Sequence, residues 1–366
     1  MSKILFYINT IGHGGAERVI INLANHFNAK GHEVLLVTSN RLNEEYPYDH
    51  SIIRVNLNES NIKKRITKNI YLILKLRKII KDRNPDIIIS FMAEANIRSL
   101  ISTTWTKTKT IISIRNDPNM EYKNIIIRVF AQILYRKANG IVFQTKDVQE
   151  WFSRRLQDKS RIILNPVDTK FLTINYNGGR KNVITVGRLT DQKNHVLLIN
   201  AFTAIANCVD DNLLIYGEGP LRSKLESLII GNGMTNRIFL MGKTTDVANQ
   251  IKGAKLFVLS SNYEGLPNAL MEAMALGIPC ISTNCSGGGP KYLLGSNSNE
   301  YLFKTGDSQA LQSILIQTLN NSQKLLEMSN FVKERAQEFE PKLIFEYWTN
   351  YVDEIIDNKS NIINKE

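Results

Sequence analysis

The feature that most constrains this chain is a regular alternation of short, continuous apolar runs with segments of helical periodicity. Apolar runs rich in Ile and Val are typical of strands that are buried on both faces of a parallel sheet. In the first half the predicted strands are residues 3–9, 33–38, 52–57, 86–91, 110–114 and 140–144. In the second half they are residues 182–187, 212–216, 237–241, 255–259 and 279–282. This order predicts an α/β protein with two doubly wound, Rossmann-like parallel sheets.

The chain length suits two domains. A length of 366 residues fits two domains of ordinary size, and the polar, Gly-bearing segment 168–181 is the predicted linker. We therefore predict an N-terminal domain over 1–170 and a C-terminal domain over 182–340. The remainder, 341–366, begins with a helical pattern. This helix could pack back on the N-terminal domain, which the sequence alone does not decide. Ligands of open parallel sheets bind beyond the carboxyl ends of strands, so the expected site is a cleft between the facing domains.

Composition excludes several classes of protein. Hydrophobic residues make up 43% and charged residues 22%, which is ordinary globular usage and argues against a disordered or disulfide-stapled chain. No apolar run approaches about 18 residues, so no membrane span is expected. The N-terminus has one Lys and a short apolar burst, which predicts a first strand rather than a signal peptide.

Cysteine and histidine usage predicts a cytosolic protein without a bound metal. The three cysteines are odd in number and form no CxxC pattern, which fits a thiol-reducing compartment. The five histidines show no HxxxH or HxH spacing, so a tightly bound metal is not expected.

The positive charge lies in the first half of the chain. Residues 1–173 contain 28 Lys and Arg against 15 Asp and Glu, whereas the remainder contains 18 against 19. A basic half beside a neutral one indicates a polyanionic partner: nucleic acid, anionic lipid headgroups or a phosphorylated substrate.

Much of this charge falls in segment 61–84. Nine Lys and Arg, among them Lys64, Lys68 and Lys75, surround an apolar stripe at helical spacing, against a single Asp. The stripe comprises Ile62, Ile66, Ile70, Ile73, Leu76 and Ile80. A solvated helix face is the default interpretation, and docking on anionic headgroups or a substrate pyrophosphate is the sharper one. Nucleic-acid binding is not expected, because no recognised motif and no interleaved aromatic residues accompany the charge.

Two segments of the first half carry polar or glycine residues at predicted strand ends. Gly12, Gly14 and Gly15 follow the first strand, where glycine lets the backbone approach a ligand, although a tight turn explains them equally well. Arg115 and Asn116 lie in SIRNDPN after a later strand, and an Asn-Asp-Pro turn is the alternative explanation.

In the second half, VGRLTDQKN (186–194) places Arg188 and Lys193 five positions apart after a strand. Two cations at a strand end can clamp a diphosphate and offset the charge that grows as it leaves, and solvated loop cations are the alternative. IYGEGP (215–220) ends the next strand with a second glycine turn, at Gly217.

The segment EGLPNALME (264–272) is the most informative. It follows the predicted strand 255–259, and Pro267 suits the first turn of a helix to about residue 275. Glu264 then precedes the helix and Glu272 lies within it, so the two carboxylates can hold two hydroxyl-bearing parts of one ligand. The amides near Gly265 and Asn268 present the positive end of the helix to a phosphate.

Taken together, these motifs resemble the retaining glycosyltransferases of family 4, which have the GT-B fold. The resemblance rests on GGAER (14–18), VGRLxxQKN (186–194), YGEGP (216–220) and EGLPNALMEAMAxGxP (264–279), and it covers nearly the whole chain. The last segment matches the E-x7-E motif of the family. SFMAEANI (90–97) and SIRNDP (113–118) look like members that build O-antigen, capsule or lipid-linked oligosaccharides.

The resemblance implies a role for each matching residue. Arg188 and Lys193 would bind the donor diphosphate and stabilise it as leaving group, Glu264 would contact the transferred sugar, and Glu272 would hold the ribose. The implied nucleotide-sugar site as a whole comprises Gly14, Gly15, Gly187, Arg188, Lys193, Gly217, Glu264, Gly265, Leu266, Pro267, Asn268 and Glu272. The implied acceptor site comprises Arg115, Asn116, Lys64, Lys68 and Lys75. Many members carry a cleft His where this chain has Arg115 and Asn116.

The resemblance also implies the reaction. We expect transfer of a hexose or N-acetylhexosamine, with retention and without metal or cofactor, from a UDP-type sugar to a polyprenyl-diphosphate-linked acceptor. The expected location is the cytoplasmic face of the inner membrane, with helix 61–84 on the anionic surface. Two alternatives stay open: a nucleotide-sugar 2-epimerase on a similar fold, and a non-enzymatic basic module that binds lipid or nucleic acid.

Overall fold

A computed structural model of the protein describes residues 1–12, 14–58, 64–176, 178–295 and 298–357. The chain forms two compact units. The first comprises Met1–Asn165 together with the segment from Lys342 onward, and the second comprises Pro166–Pro341.

The first unit is built on a seven-stranded parallel sheet with the order β3-β2-β1-β4-β5-β6-β7. Its strands are β1 Lys3–Ile8, β2 Glu33–Thr38, β3 Ile53–Asn56, β4 Ile87–Phe91, β5 Lys109–Ser113, β6 Gly140–Phe143 and β7 Ser160–Ile162. Its helices are α1 Gly15–Ala29, α2 Arg65–Arg83, α3 Ala93–Ser102, α4 Pro118–Glu121, α5 Ile125–Tyr135, α6 Lys146–Trp151 and α7 Arg154–Gln157. Leu5 of β1 lies between Leu35 of β2 and Ile88 of β4, and all three are fully buried.

The second unit contains a six-stranded parallel sheet with the order β10-β9-β8-β11-β12-β13. Its strands are β8 Lys181–Val186, β9 Leu213–Tyr216, β10 Ile238–Gly242, β11 Ala254–Leu259, β12 Cys280–Asn284 and β13 Leu302–Lys304. Its helices are α8 Thr169–Thr173, α9 His195–Ile205, α10 Arg222–Gly231, α11 Val247–Ile251, α12 Asn268–Ala275, α13 Gly289–Leu294, α14 Ser298–Tyr301, α15 Ser308–Leu319 and α16 Ser322–Arg335. Short 3-10 turns span Ala206–Cys208 and Ala336–Phe339.

The sheets confirm the predicted α/β class with two doubly wound, Rossmann-like domains. Every predicted strand is present, and its ends differ from the prediction by at most two residues. Strands β7 and β13 were not predicted, because each is only three residues long and so short a run has no readable periodicity. Each lies at the edge of its sheet. Strand order reverses between β1 and β4 and again between β8 and β11, and such reversals open a crevice at the carboxyl ends.

The apolar stripe predicted on segment 61–84 is only partly correct. Its first residues, 61–63, lie outside the described part of the chain. On α2 the side chains that pack inward are Leu72, Leu76 and Ile80, one turn apart, whereas Ile66 and Ile70 are 77% and 53% exposed. Two apolar rows therefore run along this helix, and only one of them faces the core.

A last helix, α17 (Pro341–Asp357), packs on the first unit. Its Trp348 is fully buried and stacks on Phe91 of β4, with ring centroids 5.9 Å apart. The Tyr351 hydroxyl accepts from the Ile141 amide at 3.0 Å and donates to the Lys159 carbonyl at 2.9 Å. The end of the chain thus closes the core of the unit in which the chain begins.

Truncation of Trp348 tests this packing. Trp348→Ala removes a fully buried ring, and we expect it to lower the free energy of unfolding by about 3–5 kcal/mol, measured by chemical denaturation. Tyr347→Ala, at a neighbouring side chain that is 50% exposed, is the matched control and should cost much less. Equal losses in the two variants would contradict the structural role given to α17.

Candidate active site

The carboxyl edge of the second sheet gathers the predicted donor-site residues. Gly187 and Arg188 follow β8, Gly217 follows β9, and Glu264 lies five residues beyond the end of β11. Because β8 is hydrogen-bonded to both β9 and β11, the three strand ends are neighbours at one edge of the sheet. The structure therefore brings together residues that lie up to 77 positions apart in the sequence.

Close backbone approach explains Gly217. Its φ is +143°, and a Cβ built there would lie 1.9 Å from the carbonyl oxygen of Gly187. The Gly217 amide donates to the Gly242 carbonyl at 2.8 Å, and the Gly187 amide donates to the Tyr216 carbonyl at 2.9 Å. Side-chain-free backbone at these two strand ends leaves their edge open to a ligand.

An ion pair between Lys193 and Glu264 lies at this edge. The Lys193 Nζ is 2.5 Å from Glu264 Oε1, and the Ser261 hydroxyl donates to the same oxygen at 2.6 Å. The side chains are 16% and 7% exposed, so the attraction is screened only weakly. Both contacts go to Oε1, so Oε2 can accept from a hydroxyl of a ligand.

Hydrogen bonds between two loops hold Lys193 in place. The Ser260 hydroxyl donates to the Lys193 carbonyl at 2.9 Å. The backbone N–H of Asn262 donates to the Gln192 carbonyl at 2.8 Å. Asn194 has left-handed backbone (φ +46°), and its side chain accepts from the Leu197 amide to cap α9. This change of direction brings Lys193 back over the end of β8, where its side chain packs against Gly187.

Glu272 lies within α12, as predicted, and is 5% exposed. Pro267 is the cap residue immediately before the helix rather than part of its first turn. Gly265, Leu266 and Pro267 are buried, and a Cβ at Gly289 would lie 1.8 Å from the Gly265 carbonyl oxygen. The start of α13, the helix that follows β12, therefore packs directly on the loop that carries Glu264.

Arg188 differs from Lys193 in its surroundings, because its side chain is exposed at the end of β8. This edge therefore carries one exposed guanidinium and one largely buried ammonium, which is paired with Glu264. Two such cations suit a diphosphate, whose charge is spread over several oxygens.

In the first unit, Gly14 and Gly15 lie where β1 leads into α1. Gly14 is the cap residue with extended backbone (φ −91°, ψ 161°), and its carbonyl accepts from the Arg18 amide at 3.2 Å. Gly15 is the exposed first residue of the helix. Their contact with a donor phosphate stays a prediction.

Arg115 is buried rather than open to solvent. It is 7% exposed, its Nη1 donates to Asn165 Oδ1 at 2.7 Å, and its guanidinium carbon lies 3.9 Å from the ring centroid of Phe91. Burial lowers the pKa of Arg115 to about 9. These contacts give Arg115 a structural role beside α17, and its predicted acceptor contact stays a prediction, as does that of the half-buried Asn116.

Two carboxylates near the ends of β4 and β5, Glu94 and Glu121, were not predicted from the sequence. Burial raises the pKa of Glu121, and with the smaller contributions of the nearby Asp117 and Glu94 the pKa reaches about 7. Asp117 is 1% exposed and caps α4, and Glu94 forms a salt bridge with Arg98 at 2.9 Å. The charged residues within SFMAEANI and SIRNDPNME were the available signal.

The three lysines predicted for the acceptor lie along α2 or at its start. Lys64 is the cap residue before the helix and is exposed, as is Lys75, whose Nζ lies 5.5 Å from the ring centroid of Tyr71. Lys68 is half-buried. The structure does not test their binding to an acceptor.

Within the described ranges, no helix combines the length and apolar character that a membrane span needs. In the same part of the chain, no three His, Cys, Asp or Glu side chains are grouped as metal ligands are. The expectation of metal-independent chemistry stays a prediction.

Two protein families match this chain, and the matched ranges meet near the boundary between the two units. Residues 13–171 match the family described as Glycosyltransferase Family 4. Residues 168–338 match the family described as Glycosyl transferases group 1.

Two curated enzymes of Campylobacter jejuni are similar over nearly the whole chain. One, 27% identical over 97% of this chain and 99% of its own length, is named GalNAc-alpha-(1->4)-GalNAc-alpha-(1->3)-diNAcBac-PP-undecaprenol alpha-1,4-N-acetyl-D-galactosaminyltransferase. The other, 25% identical over 93% and 96%, is named N-acetylgalactosamine-N,N'-diacetylbacillosaminyl-diphospho-undecaprenol 4-alpha-N-acetylgalactosaminyltransferase.

A solved structure shares the fold. The Anabaena protein Alr3699/HepE in complex with UDP matches with a TM-score of 0.81 at 17% identity, covering 96% of this chain and all of that one.

The close approach at Gly217 gives a first prediction for this edge. Gly217→Ala forces a methyl group into the Gly187 backbone at a φ that Ala disfavours, so we expect a loss of about 2 kcal/mol or more in thermal or chemical unfolding. Gly231→Ala, at the end of α10 where a Cβ meets nothing within 4 Å, is the control and should be neutral or stabilising. A neutral Gly217→Ala variant would refute the tight contact.

The buried His195 at the start of α9 gives a second prediction. Burial lowers its pKa to about 4, and Lys193 contributes in the same direction. Below pH 6.5 the unfolded chain therefore binds a proton that the folded chain does not, and the free energy of unfolding falls between pH 6.5 and 4.

His195→Leu removes this titrating group. Between pH 7 and pH 5, the variant should lose less stability than the parent by about 1–2 kcal/mol, measured by denaturant titration at each pH. Identical pH profiles would show that folding does not lower the pKa of His195.

Proposed function

This chain belongs to the family-4 glycosyltransferases with the GT-B fold, and we propose that it moves a hexose or N-acetylhexosamine from a nucleotide sugar to a polyprenyl-diphosphate-linked glycan. UDP is the proposed nucleotide, and retention of configuration at the transferred carbon is the proposed outcome. The product would be a lipid-linked intermediate of cell-surface polysaccharide synthesis.

The ion pair of Lys193 with Glu264 is the observation that carries this proposal. It holds a cation and a carboxylate side by side at the carboxyl edge of a parallel sheet, between two glycine turns. A nucleotide sugar needs both groups at adjacent positions, because its diphosphate is anionic and the sugar linked to it bears hydroxyl groups.

Charge development explains the need for Lys193 and Arg188. When the bond between the sugar and the diphosphate breaks, negative charge grows on the leaving phosphate oxygen. Lys193 Nζ carries three protons, of which one is donated to Glu264, so two can be donated to phosphate oxygens. Arg188 would add a second cation, and neither group needs a metal for this stabilisation.

The two carboxylates would hold different parts of the donor. Glu264 Oε2 would accept from hydroxyls of the transferred sugar, and Glu272 would accept from the ribose. The amides of Gly265 and Leu266, near the start of α12, would donate to the phosphates. The remaining members of the proposed donor site are Gly14, Gly15, Gly187, Gly217, Pro267 and Asn268.

Two observations support a polyprenyl-diphosphate-linked acceptor: the names of the relatives and the positive charge of the first half of the chain. Both Campylobacter relatives are named for undecaprenyl-diphosphate substrates, and HepE is named in complex with UDP. The excess of Lys and Arg in the first half suits a diphosphate-bearing lipid at an anionic surface. We therefore propose that the first unit binds the acceptor on the cytoplasmic face of the membrane, with α2 at the surface.

Release of nucleotide from a panel of UDP-, GDP- and ADP-sugars tests the proposal, with and without polyprenyl-diphosphate glycolipid. We expect acceptor-dependent release from one donor. Lys193→Ala, Arg188→Ala and Glu264→Gln should each lower turnover about 10²–10³-fold, because each removes a group that stabilises the transition state. Lys224→Ala, at an exposed lysine of α10, is the control and should turn over normally.

Three results would contradict the proposal. Normal turnover in the Lys193 and Arg188 variants would remove their assigned roles. Interconversion of the donor sugar without acceptor would favour the epimerase. An inverted anomeric signal in the NMR spectrum of the product would exclude retention.

A further inference from the structure

Helix α5 presents an apolar surface to solvent. Six large side chains on it are between 40% and 75% exposed: Ile125, Ile126, Ile127, Val129, Phe130 and Ile133. The side chains that anchor the helix to the core are Ala131, Leu134 and Tyr135. Most of the apolar side chains of this helix therefore take no part in the core, which is unusual for an amphipathic helix of a globular domain.

The exposed side chains are held in position by a well-formed helix start. The side chain of Asn124 accepts from the Ile126 amide at 2.9 Å and from the Ile127 amide at 3.4 Å. Tyr135, at the other end, is fully buried and its hydroxyl lies 2.7 Å from that of Tyr122. The apolar surface is thus a fixed feature of the unit rather than a frayed end.

Within the segment 122–137, which carries this surface, the charged side chains have one sign. Residues 122–137 contain four cations, Lys123, Arg128, Arg136 and Lys137, and no Asp or Glu. Lys123, Arg136 and Lys137 are exposed, and the guanidinium carbon of Arg128 lies 4.3 Å from the ring centroid of Trp151. Long cationic side chains around an apolar surface can reach phosphate groups while the apolar residues enter the layer below.

A second apolar row lies close by on the same unit. Helix α3 packs against both α2 and α5. On α2, Ile66, Ile70 and Leu74 are 77%, 53% and 61% exposed. Trp105, just after α3, is 93% exposed, and the guanidinium carbon of Arg77 lies 5.8 Å from its ring centroid. Aliphatic rows, an exposed Trp and surrounding cations together match the chemistry of an anionic lipid interface.

We propose that α5 inserts its exposed aliphatic and aromatic side chains into an anionic bilayer surface, with α2 as a second, more strongly charged contact. This inference rests on the proposed function, because membrane binding would bring the enzyme to an acceptor that is itself held in the membrane. It differs from the expectation based on sequence, which placed the membrane contact on segment 61–84 alone. We take an anionic surface as the occupant, because its phosphates can pair with the four cations of residues 122–137, whereas a neutral partner offers them no counter-charge.

Binding of the full-length protein to vesicles tests the proposal, with phosphatidylcholine vesicles that contain or lack phosphatidylglycerol. Ile126→Glu combined with Phe130→Glu places two charges within the apolar surface. We expect the dissociation constant for the anionic vesicles to rise at least about tenfold. Ile230→Glu combined with Leu326→Glu, at side chains of the second unit that are 66% and 56% exposed, is the matched control and should bind like the parent.

Vesicle binding is measured without turnover, which separates this inference from the proposed function. On a water-soluble, short-chain acceptor the α5 variant should keep the parent's turnover, whereas Lys193→Ala should lose turnover and keep vesicle binding. Equal vesicle binding by the α5 variant and the parent would overturn the proposal, as would a parent that ignores anionic vesicles. A parent that is dimeric in light scattering and an α5 variant that is monomeric would assign the surface to a second copy of the chain instead.

Discussion

The ion pair between Lys193 and Glu264 joins two loops that follow different strands of the second sheet, and the geometry of the candidate site depends on it. A largely buried ion pair adds little net stability, because the cost of removing both charges from water offsets their attraction. The fold nevertheless supports this pair with Ser261 and with hydrogen bonds from Ser260 and Asn262. Such support at a strand end, away from the core, fits groups that are held ready for a ligand.

The same edge shows why certain positions must be glycine. Parallel strands deliver their carboxyl ends to one edge, and the turns after β8, β9 and β12 then compete for space there. At Gly217 and Gly289 a Cβ would lie within 2 Å of a carbonyl oxygen of the neighbouring turn. The turns can therefore pack against each other only without side chains, and this brings backbone amides and the Lys193 side chain within reach of one ligand.

How much of this was readable from the sequence depends on how local each signal is. Buried strands of five or six residues are continuous apolar runs, so β1, β2 and β11 were predicted nearly to the residue. The helix after Glu264 was predicted because a proline and a periodic run coincide. Hydrogen-bond partners are not a local signal. The bonds of Ser261 with Glu264 and of Arg115 with Asn165 could not be inferred from spacing. The inner and outer rows of α2 were confused because both have helical spacing, and only packing against the sheet decides between them.

A helix that exposes large apolar side chains instead of burying them is itself informative about function. A helix normally turns its largest apolar side chains inward, because their burial is the main driving force of folding. Helix α5 turns Ile126 and Phe130 outward and packs through Ala131 and Leu134 instead. The observed rotation of the helix therefore leaves apolar area exposed that a second surface can cover. The charge excess of the same unit points to that surface being anionic, whereas the nearly neutral second unit carries the ion pair at its strand ends. Under the proposed function, the first unit would meet the acceptor at the membrane, and the second unit would hold the charged donor.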